Sequence, residues 1–319
     1  MKVVVTSKIP RVGIDVLEDA GFTVVGNPSE RLLSPLELKD FVHGADGILC
    51  LLLDKIDREI IKEAGKNLKI IANYGVGFDN IDMAAAKERN ILVTNTPSGL
   101  SSRAVAEFTV GLILALLKRV VEGDEFARKG NFGGWKPGIF LGENLEGKTL
   151  GIVGLGNIGC RVAKMGKALG LRVIYNKRNR DCKLEKEFGL EYLSLDNLLH
   201  ESDIVSLHVP LTKETEHLIN TETLEKMKDH SFLINTSRGR VVDEGALVEA
   251  LKSGKLAGAA LDVYEYEPLI NPELCGLPNV VLTPHIASSV RAVRDEMAIM
   301  AGKNIVEALN RKTPPNLVK

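Results

Sequence analysis

Short runs of β-branched residues alternate with amphipathic segments along the first third of the chain. Each run is long enough for one strand, and the segments between them have the apolar spacing of helices. Strands that alternate with helices are typical of parallel βαβ units, which build sheets covered on both faces. The pattern therefore predicts an α/β domain. Its predicted strands are residues 2–7, 22–25, 47–52 and 69–73, and its predicted helices are residues 12–20, 35–42 and 57–64.

The pattern changes at residues 96–102 (TPSGLSS), which have the composition of a turn. A long helical run follows at 103–121, and then a glycine-rich loop at 130–142 (GNFGGWKPGIFLG). From residue 149 a second series of strands begins, with helical segments between several of them, as a dinucleotide-binding sheet requires. These predicted strands are residues 149–153, 172–175, 204–207, 231–235, 258–261 and 280–283.

The length also favours two domains, since 319 residues exceed what one core usually holds. The fold class predicted is α/β, with a Rossmann doubly wound parallel sheet in residues 99–288. A smaller, flavodoxin-like α/β domain is predicted from residues 1–98 plus 289–319, because the last helical stretch, 291–311, follows the last strand and can return to the first domain.

Charge and composition narrow the class of protein. Lys plus Arg total 41 and Asp plus Glu total 42, a net charge of −1, which gives no overall attraction to nucleic acid or to an anionic membrane. The opening MKVVVTSKIP does not have the pattern of a signal peptide, and the apolar stretch 108–117 is shorter than a span of roughly 20 residues. The four cysteines form no CxxC pair and the six histidines show no ligand spacing. We expect a soluble, cytoplasmic, reduced protein without a metal site.

The segment GIVGLGNIG contains the spacing GxGxxG at Gly154, Gly156 and Gly159. The first glycine allows a tight turn, the second lets the backbone approach a pyrophosphate, and the third lets helix and strand pack closely. The motif follows a predicted strand and opens a predicted helix, whose first amides point at a negative ligand. It therefore predicts a dinucleotide site.

The strand at 172–175 ends in Asn176, Lys177, Arg178, Asn179 and Arg180. An acidic residue about 20 positions after the glycines would bind the ribose 2′-hydroxyl of NAD. No carboxylate stands at the end of this strand, and three cations are near enough to attract a 2′-phosphate. The alternative is that these are solvated loop charges. We predict NADP(H) as the cofactor in preference to NAD(H).

Three segments lie near the carboxyl ends of predicted strands, where open α/β sheets bind ligands. They are 235–240 (NTSRGR), 261–268 (LDVYEYEP) and 282–288 (LTPHIAS). Reduction of a 2-oxo acid needs a cation for the carboxylate, an acid for the developing alkoxide and a group that holds this acid. Arg238, Glu267 and His285 supply that set, although Arg240 and Glu265 are as eligible on residue type alone.

These segments, together with GLGNIG, closely resemble the D-isomer-specific 2-hydroxyacid dehydrogenase family, from about Asp46 to Ser289 and most strongly after Gly147. The resemblance implies that Arg238 is the motif arginine, Glu267 the glutamate before proline, and His285 the acid/base. It also implies the following contacts: substrate carboxylate at the amides of Val76 and Gly77 in 73–82 (NYGVGFDNID), nicotinamide carboxamide at Asp262, and cofactor along Asn157, Ile158, Val209, Thr236, Ser237, Arg238, His285 and Ser288. Asn176 departs from the family, where many members have Asp.

The sequence defines the identity of the substrate less closely than the type of reaction. The loop 51–55 (LLLDK), with Leu53, is expected near the substrate, where phosphoglycerate dehydrogenases that resemble this chain tend to carry an arginine for the phosphate. Leucine cannot bind a phosphate, although Lys55 would, and the chain ends at Lys319 without an added regulatory domain. These features favour glyoxylate or hydroxypyruvate. A phosphoglycerate dehydrogenase and a 2-ketogluconate reductase remain alternatives.

By resemblance to glyoxylate/hydroxypyruvate reductases, Trp135 is expected to reach a partner's active site, which implies a homodimer formed through 103–121 and the loop around Trp135. The alternative is a packing aromatic beneath the interdomain loop. Two other classes stay open: an NAD(H)-sensing, corepressor-like binding protein, and a formate or phosphite dehydrogenase. The intact Arg238, Glu267 and His285 favour the 2-hydroxyacid dehydrogenase over both.

Overall fold

The computed structural model describes residues 1–29 and 31–318. The chain divides into two compact units, one formed by Met1–Ser101 with Ser289–Lys319 and the other by Ser102–Ser288. Both contain parallel sheets covered by helices, so the predicted α/β fold is confirmed.

The first unit holds a five-stranded parallel sheet in the order β2-β1-β3-β4-β5. The last strand was not predicted, because three residues are too few to show a periodic pattern. The strands are β1 Lys2–Val5, β2 Thr23–Gly26, β3 Gly47–Leu51, β4 Ile70–Tyr74 and β5 Leu92–Thr94. The helices are α1 Arg11–Asp19, α2 Pro35–Val42, α3 Arg58–Glu63, α4 Met83–Glu88 and α13 Arg291–Leu309.

Helix α13 belongs to this unit because its apolar stripe packs on α1 and β4. Buried residues recur every three or four positions along it, as a helix with one packed face requires. Glycines bring the two helices close: a Cβ on Gly13 would lie 2.7 Å from Ala298, and one on Gly302 would lie 2.9 Å from the Gly13 carbonyl oxygen.

The second unit holds a seven-stranded parallel sheet in the order β12-β11-β10-β9-β6-β7-β8. Six of these strands match the predicted ones, and the two-residue β8 was missed because it is shorter than any pattern. The strands are β6 Thr149–Val153, β7 Arg172–Asn176, β8 Glu191–Tyr192, β9 Ile204–Leu207, β10 Ser231–Asn235, β11 Leu256–Leu261 and β12 Val280–Leu282. The helices are α6 Val120–Arg128, α7 Asn157–Ala168, α8 Cys182–Phe188, α9 Leu195–Glu201, α10 Thr221–Lys226, α11 Glu244–Lys252 and α12 Pro272–Cys275, with a 3₁₀ turn at Gly239–Val241.

The remaining helix, α5, spans Gly99–Leu117 and so begins inside the segment predicted as a turn. The reason is capping: the hydroxyl of Ser98 accepts a hydrogen bond from the Ser101 amide at 2.9 Å, so the serine of this segment starts a helix. The predicted single run to residue 121 is also wrong, because Arg119 adopts a φ of 55° and separates α5 from α6.

Of the helices in residues 1–29 and 31–318, α5 alone has the length and apolar composition of a membrane span. A helix buried in a protein core passes the same test. Several α5 side chains, among them Leu112, Ile113 and Leu117, are packed in a core cluster with Leu150 and Ile152 of β6. This packing accounts for the apolar composition of the helix.

Candidate active site

The three side chains expected to carry the chemistry follow three neighbouring strands. Arg238 comes after β10, Glu267 after β11 and His285 after β12, and these strands lie side by side in the sheet. Because all three run parallel, their carboxyl ends lie at one edge, which is where open α/β sheets bind ligands.

His285 and Glu267 form a hydrogen-bonded pair. The imidazole Nδ1–H donates to the Glu267 carboxylate at 2.8 Å, and the other carboxylate oxygen accepts the Tyr264 amide at 3.0 Å. The glutamate side chain is 14% exposed and the histidine 30%, so the inner end of the pair is enclosed and its outer end is open. Within the described residues, Nε2 of His285 makes no hydrogen bond. It is therefore available to a substrate oxygen.

The backbone around His285 is strained and held in place. Its φ is +53°, which is uncommon for a residue with a side chain. The Asp262 carboxylate accepts hydrogen bonds from the Thr283 hydroxyl at 2.7 Å and from the amides of Ile286 and Ala287 at 2.8 Å each. Asp262 thus fixes the segment on both sides of the histidine. Holding this segment is the role that the hydrogen bonds give to Asp262. Its contact with the nicotinamide carboxamide stays a prediction.

Tyr264 is a positioning residue that sequence reasoning missed. Its amide holds Glu267, and its hydroxyl donates to the carbonyl of Thr283 at 2.9 Å. One residue therefore ties the segment that carries the glutamate to the segment that carries the histidine. Its place in the quoted segment 261–268 was the available signal, but a tyrosine there also suits ordinary packing.

The turn that carries Arg238 is shaped by Asn235, which sequence reasoning also missed. Its side-chain oxygen accepts the Ser237 amide at 3.0 Å and the Ser237 hydroxyl at 2.8 Å, while its amide donates to the Arg238 carbonyl at 2.9 Å. The Arg238 guanidinium donates to the carbonyl of Ser237 at 2.8 Å. A Cβ on Gly239 would lie 1.9 Å from the Tyr264 carbonyl carbon, so only glycine lets this turn pack against the Tyr264 segment.

Arg240 and Glu265 are of the same residue types as Arg238 and Glu267, but they have other partners. Arg240 is paired with Glu216. Glu265 accepts a hydrogen bond from Nε2 of His217 at 2.8 Å and another from the Glu244 amide at 3.1 Å. The structure therefore joins Glu267, and not Glu265, to His285.

The glycine loop follows β6, beside the point where the strand order reverses between β6 and β9. Gly154 has a φ of +101°, and a Cβ there would lie 2.7 Å from the His208 carbonyl carbon. A Cβ on Gly159 would lie 2.2 Å from the Gly154 carbonyl oxygen, so the third glycine lets α7 approach the loop. A Cβ on Gly156 would meet nothing within 4 Å. This open position lies at the amino end of α7, where no side chain caps the first amides, and it fits a cofactor phosphate.

The other cofactor-lining predictions fall around the same edge. Thr236 shares a 2.8 Å hydroxyl–hydroxyl hydrogen bond with Thr109, while Ile158 and Val209 pack against the two core clusters on the faces of the sheet. Ser288 is half-buried at the end of this unit. Asn157 is the first residue of α7.

The basic segment after β7 is partly neutralised. Lys177 lies 3.5 Å from Asp181, and Arg178 lies 3.9 Å from Glu214. Arg180 donates two hydrogen bonds to Glu185, at 2.8 and 2.9 Å, and these lower the pKa of Glu185 to about 2.

Asn176 donates through its side-chain amide to the carbonyl of Leu193 at 2.8 Å. The segment therefore presents two loosely paired cations, Lys177 and Arg178, and one firmly paired cation, Arg180.

The predicted substrate residues of the first unit lie after β3 and β4. Leu53 and Val76 are exposed apolar side chains, and Lys55 is exposed as well. In the part of the chain that the structure describes, the N–H groups of Val76 and Gly77 donate no hydrogen bond, whereas both carbonyls accept one. Two adjacent unused amides are able to donate to an anion such as a carboxylate.

Residues 110–287 match the model of the D-isomer specific 2-hydroxyacid dehydrogenase, NAD binding domain. A glyoxylate reductase from Thermococcus litoralis is 47% identical over 322 residues, covering 99% of this chain and 96% of that protein. The chain belongs to the D-isomer-specific 2-hydroxyacid dehydrogenase family. The predicted family is therefore confirmed, on the branch that contains glyoxylate reductases.

Solved structures agree with this membership. A protein from Thermus thermophilus has a TM-score of 0.92 and 45% identity, with full coverage of both chains. An NADPH-dependent glyoxylate/hydroxypyruvate reductase from Sinorhizobium meliloti, in complex with NADP and malonate, has a TM-score of 0.85 and 32% identity, covering 99% of this chain and 96% of that one.

This 2-hydroxyacid dehydrogenase is an NAD(P)-dependent oxidoreductase that reduces a small 2-oxo acid to a hydroxy acid, as predicted. It uses a nicotinamide cofactor, for which the glycine loop and the open amino end of α7 are the fitting site.

Proposed function

We propose that this dehydrogenase reduces glyoxylate or hydroxypyruvate to the corresponding 2-hydroxy acid, of D configuration where the product is chiral, with NADPH as the preferred reductant and His285 as the proton donor. The observation that carries the proposal is the 2.8 Å bond between His285 and Glu267, with the outer nitrogen of the imidazole left open. Arg238 follows β10, which lies two strands from the β12 strand that precedes His285, at the same edge of the sheet.

Each residue has a distinct role in the proposed reaction. Arg238 and the amides of Val76 and Gly77 bind the carboxylate, and Arg238 also polarises the carbonyl. A bound reduced nicotinamide supplies a hydride to C2 of the acid. His285 then gives the proton on Nε2 to the substrate oxygen. Glu267 keeps the ring oriented and stabilises its protonated form.

The small size of the substrate follows from the loop after β3. The side chains of Leu51, Leu52 and Leu53 offer no hydrogen-bond donor for a phosphate, and Leu53 is exposed. Lys55 is the cation of the loop, so a phosphorylated acid stays an outcome to test, as does 2-ketogluconate. The matching relatives that are glyoxylate reductases support the smaller acids.

The NADP preference rests on Asn176, Lys177 and Arg178. The Lys177 pair is 3.5 Å long and half-buried, and the Arg178 pair is 3.9 Å long and solvent-exposed, so exchanging these long ion pairs for contacts with a 2′-phosphate loses little. Arg180 is held by Glu185 and is left out of the proposed phosphate site.

We propose that residues 1–98 plus 289–319 bind the substrate and that residues 99–288 bind the cofactor. We also propose that the enzyme acts in the cytoplasm as a homodimer. Trp135 is 84% exposed and therefore does not pack within its own chain. It lies on a loop with exposed Phe132 and Leu141, and patches of this kind mark association sites.

The test is steady-state oxidation of NADPH, and separately of NADH, with glyoxylate, hydroxypyruvate, 3-phosphohydroxypyruvate and 2-ketogluconate. We expect the highest kcat/KM with NADPH and one of the two small unphosphorylated acids. A higher kcat/KM with NADH would reject the cofactor preference and leave the substrate intact. Turnover confined to the phosphorylated or the six-carbon acid would reject the substrate.

The basis of the cofactor preference is tested with Lys177→Ala and Arg178→Ala. Each should raise the KM for NADPH by about tenfold and leave the KM for NADH nearly unchanged, since one charge-assisted contact is worth about 1.5 kcal/mol or more. Arg180→Ala is the matched control and should not alter the ratio of the two KM values.

A further inference from the structure

Three consecutive carbonyl groups of the turn 75–77 are held by donors from outside the turn. The donors are the amide of Thr96 and the side-chain amides of Asn95 and Asn73. Their hydrogen bonds are 2.9 Å to the Gly75 oxygen, 2.7 Å to the Val76 oxygen and 2.6 Å to the Gly77 oxygen, respectively. Because a peptide plane carries its N–H opposite its C=O, fixing the carbonyls fixes the direction of the amides. Among the described residues, the N–H groups of Val76 and Gly77 thereby stay without an acceptor.

Asn80 joins this turn to the loop 51–55. Its side-chain amide donates to the carbonyls of Leu51 and Asp54, at 3.0 Å each. Its two N–H groups are shared with a third acceptor, the Asn73 side-chain oxygen at 3.2 Å, and Asn73 donates in turn to the Asn80 oxygen at 3.0 Å. Asn73 is fully buried, so a broken bond here would leave a polar group without water.

Two further contacts tighten the connection. A Cβ on Gly75 would lie 2.3 Å from Leu52, so the leucine side chain rests directly on the backbone of the turn. The loop 51–55 is also anchored in the interior of the unit. The buried Asp54 carboxylate accepts hydrogen bonds from the Thr6 hydroxyl at 2.5 Å and from the Leu51 amide at 2.7 Å.

We propose that Asn73, Asn80 and Asn95 are positioning residues that hold the turn 75–77 and the loop 51–55 as one rigid receptor, in which the amides that bind the substrate carboxylate stand at a fixed distance from the leucines that meet the rest of the acid. This inference rests on the proposed function for the role of those amides. None of the three asparagine side chains is itself proposed to touch the substrate.

A rigid receptor of this kind selects the length of the acid. If the turn and the loop moved independently, a longer acid would be accommodated by displacement of Leu53 alone. With Asn80 between them, displacing the loop also disturbs Asn73, whose hydrogen bond to the Gly77 carbonyl oxygen holds the end of the turn. The network therefore links carboxylate affinity to the size of the group on C2.

The test uses Asn95→Ala, which removes the donor to Val76, and Asn80→Ala, which removes the link between turn and loop. Asn279→Ala is the matched control, since the Asn279 side chain also donates to a backbone carbonyl, that of Ala257 at 3.2 Å, but lies before β12 in the other unit. The dissociation constant of oxalate is measured on enzyme saturated with NADPH, by the fluorescence of the nicotinamide, together with the NADPH dissociation constant, KM and kcat. Thermal unfolding establishes that each variant is folded.

We expect Asn95→Ala and Asn80→Ala to raise the oxalate dissociation constant and the KM of the acid by about tenfold, which corresponds to one or two hydrogen bonds. The NADPH dissociation constant should stay within about twofold, because neither side chain belongs to the proposed cofactor site; a general loss of stability would weaken the binding of both ligands. Asn80→Ala should also reduce the discrimination in kcat/KM between glyoxylate and hydroxypyruvate, which Asn95→Ala should leave nearly as it is.

Unchanged oxalate binding in the folded variants would overturn the inference, and so would an equal loss in Asn279→Ala. Absence of oxalate binding in the wild type would also overturn it, because the amides would then not be a carboxylate site. Failure of the proposed substrate is distinguishable: the wild type would bind oxalate, and the variants would weaken it, while neither glyoxylate nor hydroxypyruvate was turned over.

Discussion

At the scale of single residues, the second unit contains two histidine–glutamate pairs of equal bond length, one formed through Nδ1 of His285 and the other through Nε2 of His217. His285 bonds to Glu267 and His217 bonds to Glu265, each at 2.8 Å. The pairs differ in their surroundings: Glu265 shares its site with Glu244, and burial raises the pKa of Glu244, whereas Glu267 is held by the Tyr264 amide. The His285 pair follows β11 and β12, at the same edge of the sheet as the glycine loop.

Glu267→Gln keeps the shape of the side chain and removes its charge. We expect kcat with the best 2-oxo acid to fall by about 10²- to 10³-fold, because the protonated imidazole loses its counter-charge during proton transfer. Binding of NADPH should be unchanged. Steady-state kinetics and fluorescence titration measure both. Glu265→Gln is the matched control and should change kcat by less than about threefold; equal losses in the two variants would contradict the assignment of Glu267.

His208 predicts a loss of stability in acid. Burial lowers the pKa of His208 to about 3, and its Nε2 lies 2.9 Å from the Ser206 hydroxyl. The unfolded chain takes up this proton near pH 6.5 and the folded chain does not, so unfolding becomes easier as pH falls from about 6.5 towards 3.

We expect the free energy of unfolding of the wild type to fall by about 2 kcal/mol more than that of His208→Gln between pH 7.5 and pH 5.0. Urea unfolding at the two pH values measures the difference. Parallel losses in the two proteins would show that His208 takes up its proton equally in the folded and unfolded chains.

At the scale of elements, the glycine loop depends on contacts that only a missing Cβ allows. Gly159→Ala would place a methyl group 2.2 Å from the Gly154 carbonyl oxygen and push α7 away from the loop. We expect the dissociation constant for NADPH to rise by at least about tenfold, because the loop amides lose their positions.

Gly123→Ala in α6 is the control, because a Cβ there would meet nothing within 4 Å. It should leave NADPH binding unchanged and stabilise the fold by up to about 1 kcal/mol, as alanine does in a helix. Fluorescence titration and urea unfolding measure the two effects. Unaltered NADPH binding in Gly159→Ala would show that the loop tolerates the displacement.

At the scale of the whole molecule, the exposed apolar loop of the second unit predicts self-association. Val121 and Leu141 border a cavity of about 570 Å³ near the start of β12, and Leu141 is 70% exposed. A neighbouring copy would cover this surface.

We expect light scattering on the wild type to give about twice the chain mass of 34.7 kDa. Leu141→Arg should shift the protein towards the monomer, because it places a charge in an apolar contact. Leu36→Arg is the matched control, since Leu36 is 71% exposed on α2 of the other unit; it should leave the mass unchanged. A monomeric wild type would reject the homodimer.

The sequence alone predicted the order of the main strands and helices and the glycine loop, because periodicity and motif spacing are local properties of the chain. The choice of Arg238, Glu267 and His285 rested on the resemblance to the family. The sequence did not predict β5 and β8, because these strands are too short to show a hydrophobic period and form by pairing with β4 and β7. Tertiary structure showed that Glu267 rather than Glu265 bonds to His285, a choice that residue type had left open, since the two differ by two positions and only the neighbours Tyr264 and Glu244 separate them. It also decided that Asn80 links two loops, because hydrogen bonds between residues 26 to 29 positions apart leave no trace in a local pattern.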